Sequence, residues 1–282
     1  MKISVQDDSR QESATSSRPR IGCIGCGNMG AALVRGIAGA GLASSITVMD
    51  VSQEAAAALA AASGATAVST VGHLAADSDM IIIAVKPGQI APLLDSHAAH
   101  ALRDRLVVSV AAGVTLSRLT ALLPASRIIR VMPNTPALIG AGVIAWASGE
   151  GCTEQDTHCF ESVFRCAGKL FRFEEKLLDA VTGLSGSGPA YVFLLINALA
   201  EGGVREGLTK ADALTMAAQT FLGSARMILE GGEHPEILKD RVTSPGGTTA
   251  AGLAVLEERA VRSACIDAVQ AAAARSRELG GS

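Results

Sequence analysis

Aromatic side chains are scarce, 3% of the 282 residues, with one Trp and one Tyr. A chain so composed is poorly equipped to bind sugars or single strands by ring stacking. A basic surplus is missing as well. The 24 Lys and Arg stand against 27 Asp and Glu, a formal charge of −3. That balance does not suit neutralising a phosphate backbone, so no nucleic-acid partner is expected. No apolar run reaches the roughly 18 residues of a membrane span. The strongest stretch, Ala190 to Ile196, soon meets Asn197 and Glu201, and no membrane partner is expected. Residues 1–20 lack the apolar segment of a secretory signal, and Asp7, Asp8 and Glu12 argue against a transit peptide. A disordered tail over residues 1–19 and a cytoplasmic location are expected, with the six cysteines reduced. Cys152, Cys159 and Cys166 recur every seven residues with no His on their face, the pattern of a packed helix and not of a metal site. No Ser-His-Asp arrangement, no metal-ligand spacing and no internal repeat is present. The obvious general acids and bases are absent too.

What is present is apolar and small. Hydrophobic residues make up 49% and charged residues 18%, with 30 glycines, enough for a sizeable core and tight turns. From residue 20 to 173 short apolar runs alternate with helical stretches. The spacing predicts strands at Arg20–Gly25, Ile46–Asp50, Thr66–Val68, Met80–Val85, Leu106–Ala111, Ile128–Met132, Gly142–Ala147 and Lys169–Phe173. Helices are predicted at Met29–Ala40, Gln53–Ser63, Ile90–Ala98, Leu116–Leu122 and Glu154–Cys166. Runs such as MIIIAV are apolar on both faces, as a buried parallel sheet requires. The expected fold is therefore a doubly wound α/β Rossmann domain over residues 20–173. Residues 174–282 change texture. Leu177–Gly183, Pro189–Glu206, Lys210–Glu230, Pro235–Val242 and Thr248–Leu279 have helical period, so an all-helical second domain is expected.

Three segments carry chemistry. The first strand runs into Gly25-Cys26-Gly27-Asn28-Met29-Gly30, a G-x-G-x-x-G opening a helix, the arrangement that holds a dinucleotide pyrophosphate. Asp50 lies 20 residues past Gly30, where a ribose-binding carboxylate belongs, although it would also serve to cap the helix beginning near Ser52. With no cation among Val51, Ser52, Gln53 and Glu54, the carboxylate favours NADH over NADPH. The second group comprises the loops Val85-Lys86-Pro87-Gly88 and Met132-Pro133-Asn134-Thr135-Pro136, at the carboxyl ends of strands where open α/β sheets bind ligands. Lys86 fits a ligand contact and a solvated surface lysine equally. The third, Thr243-Ser244-Pro245-Gly246-Gly247-Thr248-Thr249, precedes a helix and fits either a carboxylate nest or an ordinary capped helix start.

Taken together, GCIGCGNMG, AVKPGQ, VVSVAAGV, IIRVMPNTPALIGAG, GLSGSGPAYVF and GEHPEILKDRVTSPGGTT resemble the pyrroline-5-carboxylate reductase family, from about Ile21 to the C-terminus. The resemblance implies reduction of the cyclic imine 1-pyrroline-5-carboxylate to L-proline with NADPH or NADH, the last step of proline synthesis. It implies a helical domain that interlocks two protomers, a homodimer or a ring of dimers. By the same resemblance, Gly25, Gly27, Asn28, Met29 and Gly30 hold the cofactor phosphates, with Lys86 and Pro87 near a ribose. Ser244, Gly246, Gly247 and Thr248 grip the substrate carboxylate, and Thr249 bonds the ring nitrogen. Two other readings compete. A β-hydroxyacid dehydrogenase needs a lysine base on the first long helix of its second domain, and no lysine occurs between Lys176 and Lys210. A non-catalytic dinucleotide sensor would have no use for a carboxylate nest at 244–249.

Overall fold

A computed structural model describes residues 18–280. Of the expected tail, residues 1–17 lie outside the described residues. Pro19 already belongs to the fold, its carbonyl accepting the Ser44 N–H at 3.0 Å. Eight strands make one sheet: β1 (Arg20–Ile24), β2 (Ser45–Met49), β3 (Thr66–Ala67), β4 (Met80–Ile83), β5 (Leu106–Ser109), β6 (Arg127–Pro133), β7 (Gly142–Ser148) and β8 (Gly168–Arg172). They lie in the order β3-β2-β1-β4-β5-β6-β7-β8, a Rossmann-like sheet in which the strand order reverses between β1 and β4. The flanking helices are α1 (Asn28–Gly39), α2 (Gln53–Ser63), α3 (Val71–Ala76), α4 (Ile90–Leu93), α5 (Ser96–Ala101), α6 (Leu116–Leu122) and α7 (Glu154–Phe164).

Both faces of the sheet are covered, which is why its central strands are apolar throughout. Met80, Ile82, Val108 and Ile129 face Leu33 and Ile37 of α1, Leu59 of α2 and Phe160 and Phe164 of α7. Ile81, Ile83, Val107 and Ile128 face Leu74 of α3, Ile90 of α4 and Leu119 of α6. Two strands depart from the common direction: β7 runs antiparallel to β6, and β8 pairs parallel with β7. The eight residues between Pro133 and Gly142 are too few for a parallel crossover, which takes roughly a dozen or more. The predicted helix Ile90–Ala98 is two short ones, because Asp95 caps a new start by accepting the Ala98 N–H at 2.8 Å. Helix α3 went unpredicted, since six residues carry too little period to detect.

Beyond β8 the chain is helical: α8 (Leu178–Val181), a π turn (Thr182–Gly186), α9 (Gly188–Arg205), α10 (Lys210–Gly231), α11 (Pro235–Arg241), α12 (Thr248–Glu258) and α13 (Val261–Gly280). The single helix expected over Thr248–Leu279 is broken at Ala260, whose φ of 54° ends α12. These helices bury little within the chain. Only Ala200, Ala213 and Ala217 form a buried cluster between α9 and α10, while Phe193 and Leu194 stand 61% and 69% exposed. The helical run Glu175–Arg205 is, by length and composition, long and apolar enough to cross a membrane, a longer apolar run than the sequence pattern suggested.

The two parts of the chain meet at an ion pair. Arg130, buried on β6, donates to Glu175 at 2.7 Å, and the same carboxylate oxygen accepts the Leu116 N–H that opens α6 at 2.6 Å. Removing the carboxylate strands a buried guanidinium, a loss of about 3 kcal/mol or more. In urea unfolding at fixed protein concentration, Glu175→Ala should lose about that much and Glu175→Gln clearly less. Equal stability of Glu175→Ala and the parent would contradict the pairing's role.

Candidate active site

The site begins where β1 turns into α1. Gly25 has φ of 104°, and a Cβ there would stand 2.7 Å from the Ala84 carbonyl of β4's end. At Gly30 a Cβ would fall 2.0 Å from the Gly25 carbonyl oxygen, so the helix start is pressed directly onto the turn. Gly27 differs, with nothing within 4 Å of its Cβ position. It is the N-cap of α1, supplies no side-chain cap, and no acid follows in the first turn. The leading N–H groups of a 12-residue helix thus face open space with a positive dipole behind them, the fit a diphosphate requires.

Beside this turn lies a cleft of about 700 Å³. Gly25, Gly27, Asp50 and Lys86 line it, joined by Val71, Gly72, Pro92, Leu93 and His97 on the far wall. Asn28 and Met29 lie at the start of α1, Asn28 exposed and Met29 half-buried against the core, and Gly30 is buried beneath the turn. Pro87 does not line this cleft. It borders an adjoining hollow of about 280 Å³ with Gly88, Ala112 and Gly113. Asp50 is not a helix cap: Ser52 caps α2, its hydroxyl accepting the Ala55 N–H at 3.2 Å. The Asp50 carboxylate instead accepts the Cys26 N–H at 2.7 Å and the Ser52 N–H at 2.9 Å.

The two cysteines of the C-x-x-C within this segment are free thiols. Burial pushes the Cys23 thiol far up, and burial with the nearby Asp50 charge pushes Cys26 up to about 11. Both Sγ atoms serve as weak donors, to the Gly25 and Met49 carbonyls. Cys152, Cys159 and Cys166 are half-buried against the core, and no metal-binding group occurs among the described residues.

The second predicted cluster stands ahead of α12. Gly246 turns at φ of 67°, and the Gly247 N–H bonds the Ser244 carbonyl at 3.0 Å. Gly247 is the N-cap of α12 and again brings no side-chain cap. The first N–H groups of α12 have no intrahelical acceptor. Among the described residues the hydroxyls of Ser244, Thr248 and Thr249 have no hydrogen-bond partner in the chain. Unused amides and hydroxyls converging on one turn make an anion nest. None of these five residues lines the dinucleotide cleft of the same chain. The two groups of residues expected to form the site are not brought together within one protomer.

Sequence reasoning missed the far wall of the cleft. Thr70 and Asp95, the caps of α3 and α5, were its readable signals, each three residues before a bonded N–H.

Comparisons with known proteins match both parts of the chain. Residues 20–113 match the family model described as NADP oxidoreductase, coenzyme F420-dependent, and residues 175–279 the one described as pyrroline-5-carboxylate reductase dimerisation. The chain is 43% identical over 263 residues to a pyrroline-5-carboxylate reductase of Escherichia coli strain K12, covering 92% of this chain and 98% of that one. A solved pyrroline-5-carboxylate reductase of Coxiella burnetii superposes with a TM-score of 0.87 at 36% identity, covering 93% of this chain and 98% of that one. The Plasmodium falciparum pyrroline carboxylate reductase with NADP bound gives a TM-score of 0.84 at 31% identity, with the same coverage.

The glycine geometry separates a structural from a ligand role. Gly27→Ala should melt within a few degrees of the parent yet bind NADH at least tenfold more weakly, because its methyl enters the space facing α1. Gly30→Ala should lose stability outright, its methyl colliding with backbone. Thermal melts and NADH fluorescence titrations check both. Parent-like NADH binding by Gly27→Ala would contradict the diphosphate assignment.

Proposed function

The chain belongs to the pyrroline-5-carboxylate reductase family, and we propose that it reduces 1-pyrroline-5-carboxylate to L-proline with NAD(P)H, the last step of proline biosynthesis. The observation that carries this reading is the pair of uncapped helix N-termini, one beside a dinucleotide cleft and one beside three unpartnered hydroxyls. In this reading Gly25, Gly27, Asn28, Met29 and Gly30 cradle the cofactor diphosphate, and Lys86 and Pro87 flank the ribose on the nicotinamide side. Ser244, Gly246, Gly247 and Thr248 hold the substrate carboxylate. The Thr249 hydroxyl bonds the ring nitrogen and orients the C=N bond.

When bound, NAD(P)H supplies the hydride that adds to the imine carbon, as the π pair of the protonated C=N moves onto nitrogen. The protein's task is then orientation, since a protonated imine already carries the charge that attracts hydride. That explains a site without general acid or base. The β-hydroxyacid dehydrogenase reading lacks its base, because α9, the first long helix after β8, contains no lysine. The sensor reading leaves the nest ahead of α12 without a purpose.

Assembly follows from what one protomer leaves undone. We read residues 20–173 as the cofactor domain and 174–282 as the substrate and dimerisation domain. The apolar faces of α9 and α10, with Leu199, Leu214, Met216 and Leu222 exposed, would cost heavily in water. A second copy of the chain covers them in a homodimer, and the 244–249 loop of one protomer meets the partner's cofactor cleft. A ring of such dimers in the cytoplasm is the fuller form of the proposal. The apolar run Glu175–Arg205 then faces protein and not lipid.

Imine-dependent oxidation of the nicotinamide tests the activity. Thr249→Ala should lower kcat about 10–100-fold, one hydrogen bond to a charged group, with the NADH Kd unchanged. Unchanged turnover in a folded variant would sink the Thr249 role. Shared sites make a sharper test. Refolding Gly27→Ala together with Thr249→Ala should restore one good site per mixed dimer, because that site draws its cleft and its loop from different chains. No recovery in the mixture, or a fully active monomer by light scattering, would refute the shared site.

A further inference from the structure

Asp50 is placed to decide between the two nicotinamide cofactors. Its carboxylate follows directly on β2 and lines the dinucleotide cleft. Each oxygen takes one main-chain N–H, Cys26 at 2.7 Å and Ser52 at 2.9 Å. The first bond comes from the phosphate-binding turn itself and the second from the entry to α2. The side chain is therefore held between the two backbone segments that border the adenosine ribose in a Rossmann crevice. Each oxygen keeps a lone pair free, enough for one ribose hydroxyl apiece.

At the β2 end of the cleft no lining residue among the described ones is a cation. Val51, the next residue, is 88% exposed and apolar. Ser52 spends its hydroxyl on the Ala55 N–H, and the first turn of α2 contributes Glu54, a second acid. Arg35, the cation nearest in sequence, rises from α1 and does not line the cleft. The basic side chains that do line it, Lys86 and His97, enter from the segments after β4 and not from the β2 end.

Resting on the reductase reading, we propose that Asp50 is the specificity-determining residue that makes this enzyme prefer NADH. It accepts the ribose 2′-hydroxyl and repels the 2′-phosphate of NADPH. Because two main-chain donors hold the carboxylate in place, it cannot swing aside for the phosphate without leaving both N–H groups unpaired.

The test measures Kd for NADH and NADPH by cofactor fluorescence, apart from turnover, and kcat/KM with each in the presence of the imine. The parent should bind NADH at least tenfold more tightly than NADPH. Asp50→Asn, which retains an acceptor oxygen, and Asp50→Ser should each shift that ratio at least tenfold toward NADPH, chiefly by tightening NADPH. A parent that binds NADPH as well as NADH overturns the proposal, whatever the variants do. So does a ratio unmoved in both folded variants. If NADH is preferred and the variants shift the ratio while the imine is not reduced, Asp50 stands and the reductase reading falls.

Discussion

The whole site hangs on how closely α1 approaches β1. Without a side chain at Gly30, the helix seats against the Gly25 carbonyl at a separation no other residue allows. That contact sets the direction of α1, and with it the aim of the N–H groups beyond Gly27. It also lets α1 pass close over Ala84 at the end of β4, beside which Val85 and Lys86 line the cleft. Asp50 joins the same unit by bonding the Cys26 N–H. The turn, the second strand and the entry to α2 consequently move as one body. A substitution that shifted α1 by an ångström would misplace the diphosphate and the ribose carboxylate together.

The helical part obeys a different economy. The sheet buries large side chains such as Trp146, Phe160 and Phe164 completely, whereas α9 and α10 meet mainly through three alanines. Small residues let helices approach but bury little apolar area, so this part cannot stabilise itself at the roughly 25 cal/mol per Å² that burial yields. Its missing burial comes from association in the proposed homodimer. Catalysis and assembly then share one condition. A protomer that has not found its partner is short of both stability and a complete site, and has no hydride acceptor positioned against its cofactor.

The sequence made some of this readable and concealed the rest for physical reasons. The sheet was legible because strands such as Met80–Ile83 are buried on both faces and carry no polar residue to blur them. The phosphate turn was legible because its glycines act on atoms within a few residues. The reversal at β7 was less so: Gly142–Ser148 looks like any apolar strand, and only the short Asn134–Ala141 link forbids a parallel crossover. Helix α3 and the break at Asp95 are too short to show a period. Asp50 read as a ribose ligand with a helix cap as the alternative, because distance along the chain does not reveal that Ser52 already caps α2. The far wall of the cleft gathers Thr70, Pro92 and His97 from separate loops, and no local pattern unites them. The nest at 244–249 was visible as a motif, but its separation from the cleft was not, since that depends on where a whole helical array lies.

Capping shows how the fold divides its helices by use. Helices α2, α3, α5, α6, α7 and α10 begin with Ser52, Thr70, Asp95, Thr115, Thr153 and Thr209, each accepting a backbone N–H from the first turn. Such a cap is worth about 1 kcal/mol. Helices α4, α8 and α9 lack such a cap because each continues a helical turn before it, whereas α1 and α12 start afresh from extended Gly27 and Gly247 with no side-chain acceptor. Neither has an acid in its first turn to neutralise the dipole. A serine or aspartate in either place would satisfy an N–H group that a ligand oxygen otherwise needs, and would set a competing side chain in the ligand's path. The stability lost at these two starts is what keeps both N-termini open to anions, one for the diphosphate and one for the carboxylate in the proposed reaction. In the proposed reaction the same open geometry, used twice, would let a chain with few functional side chains bind two ligands mainly through its backbone.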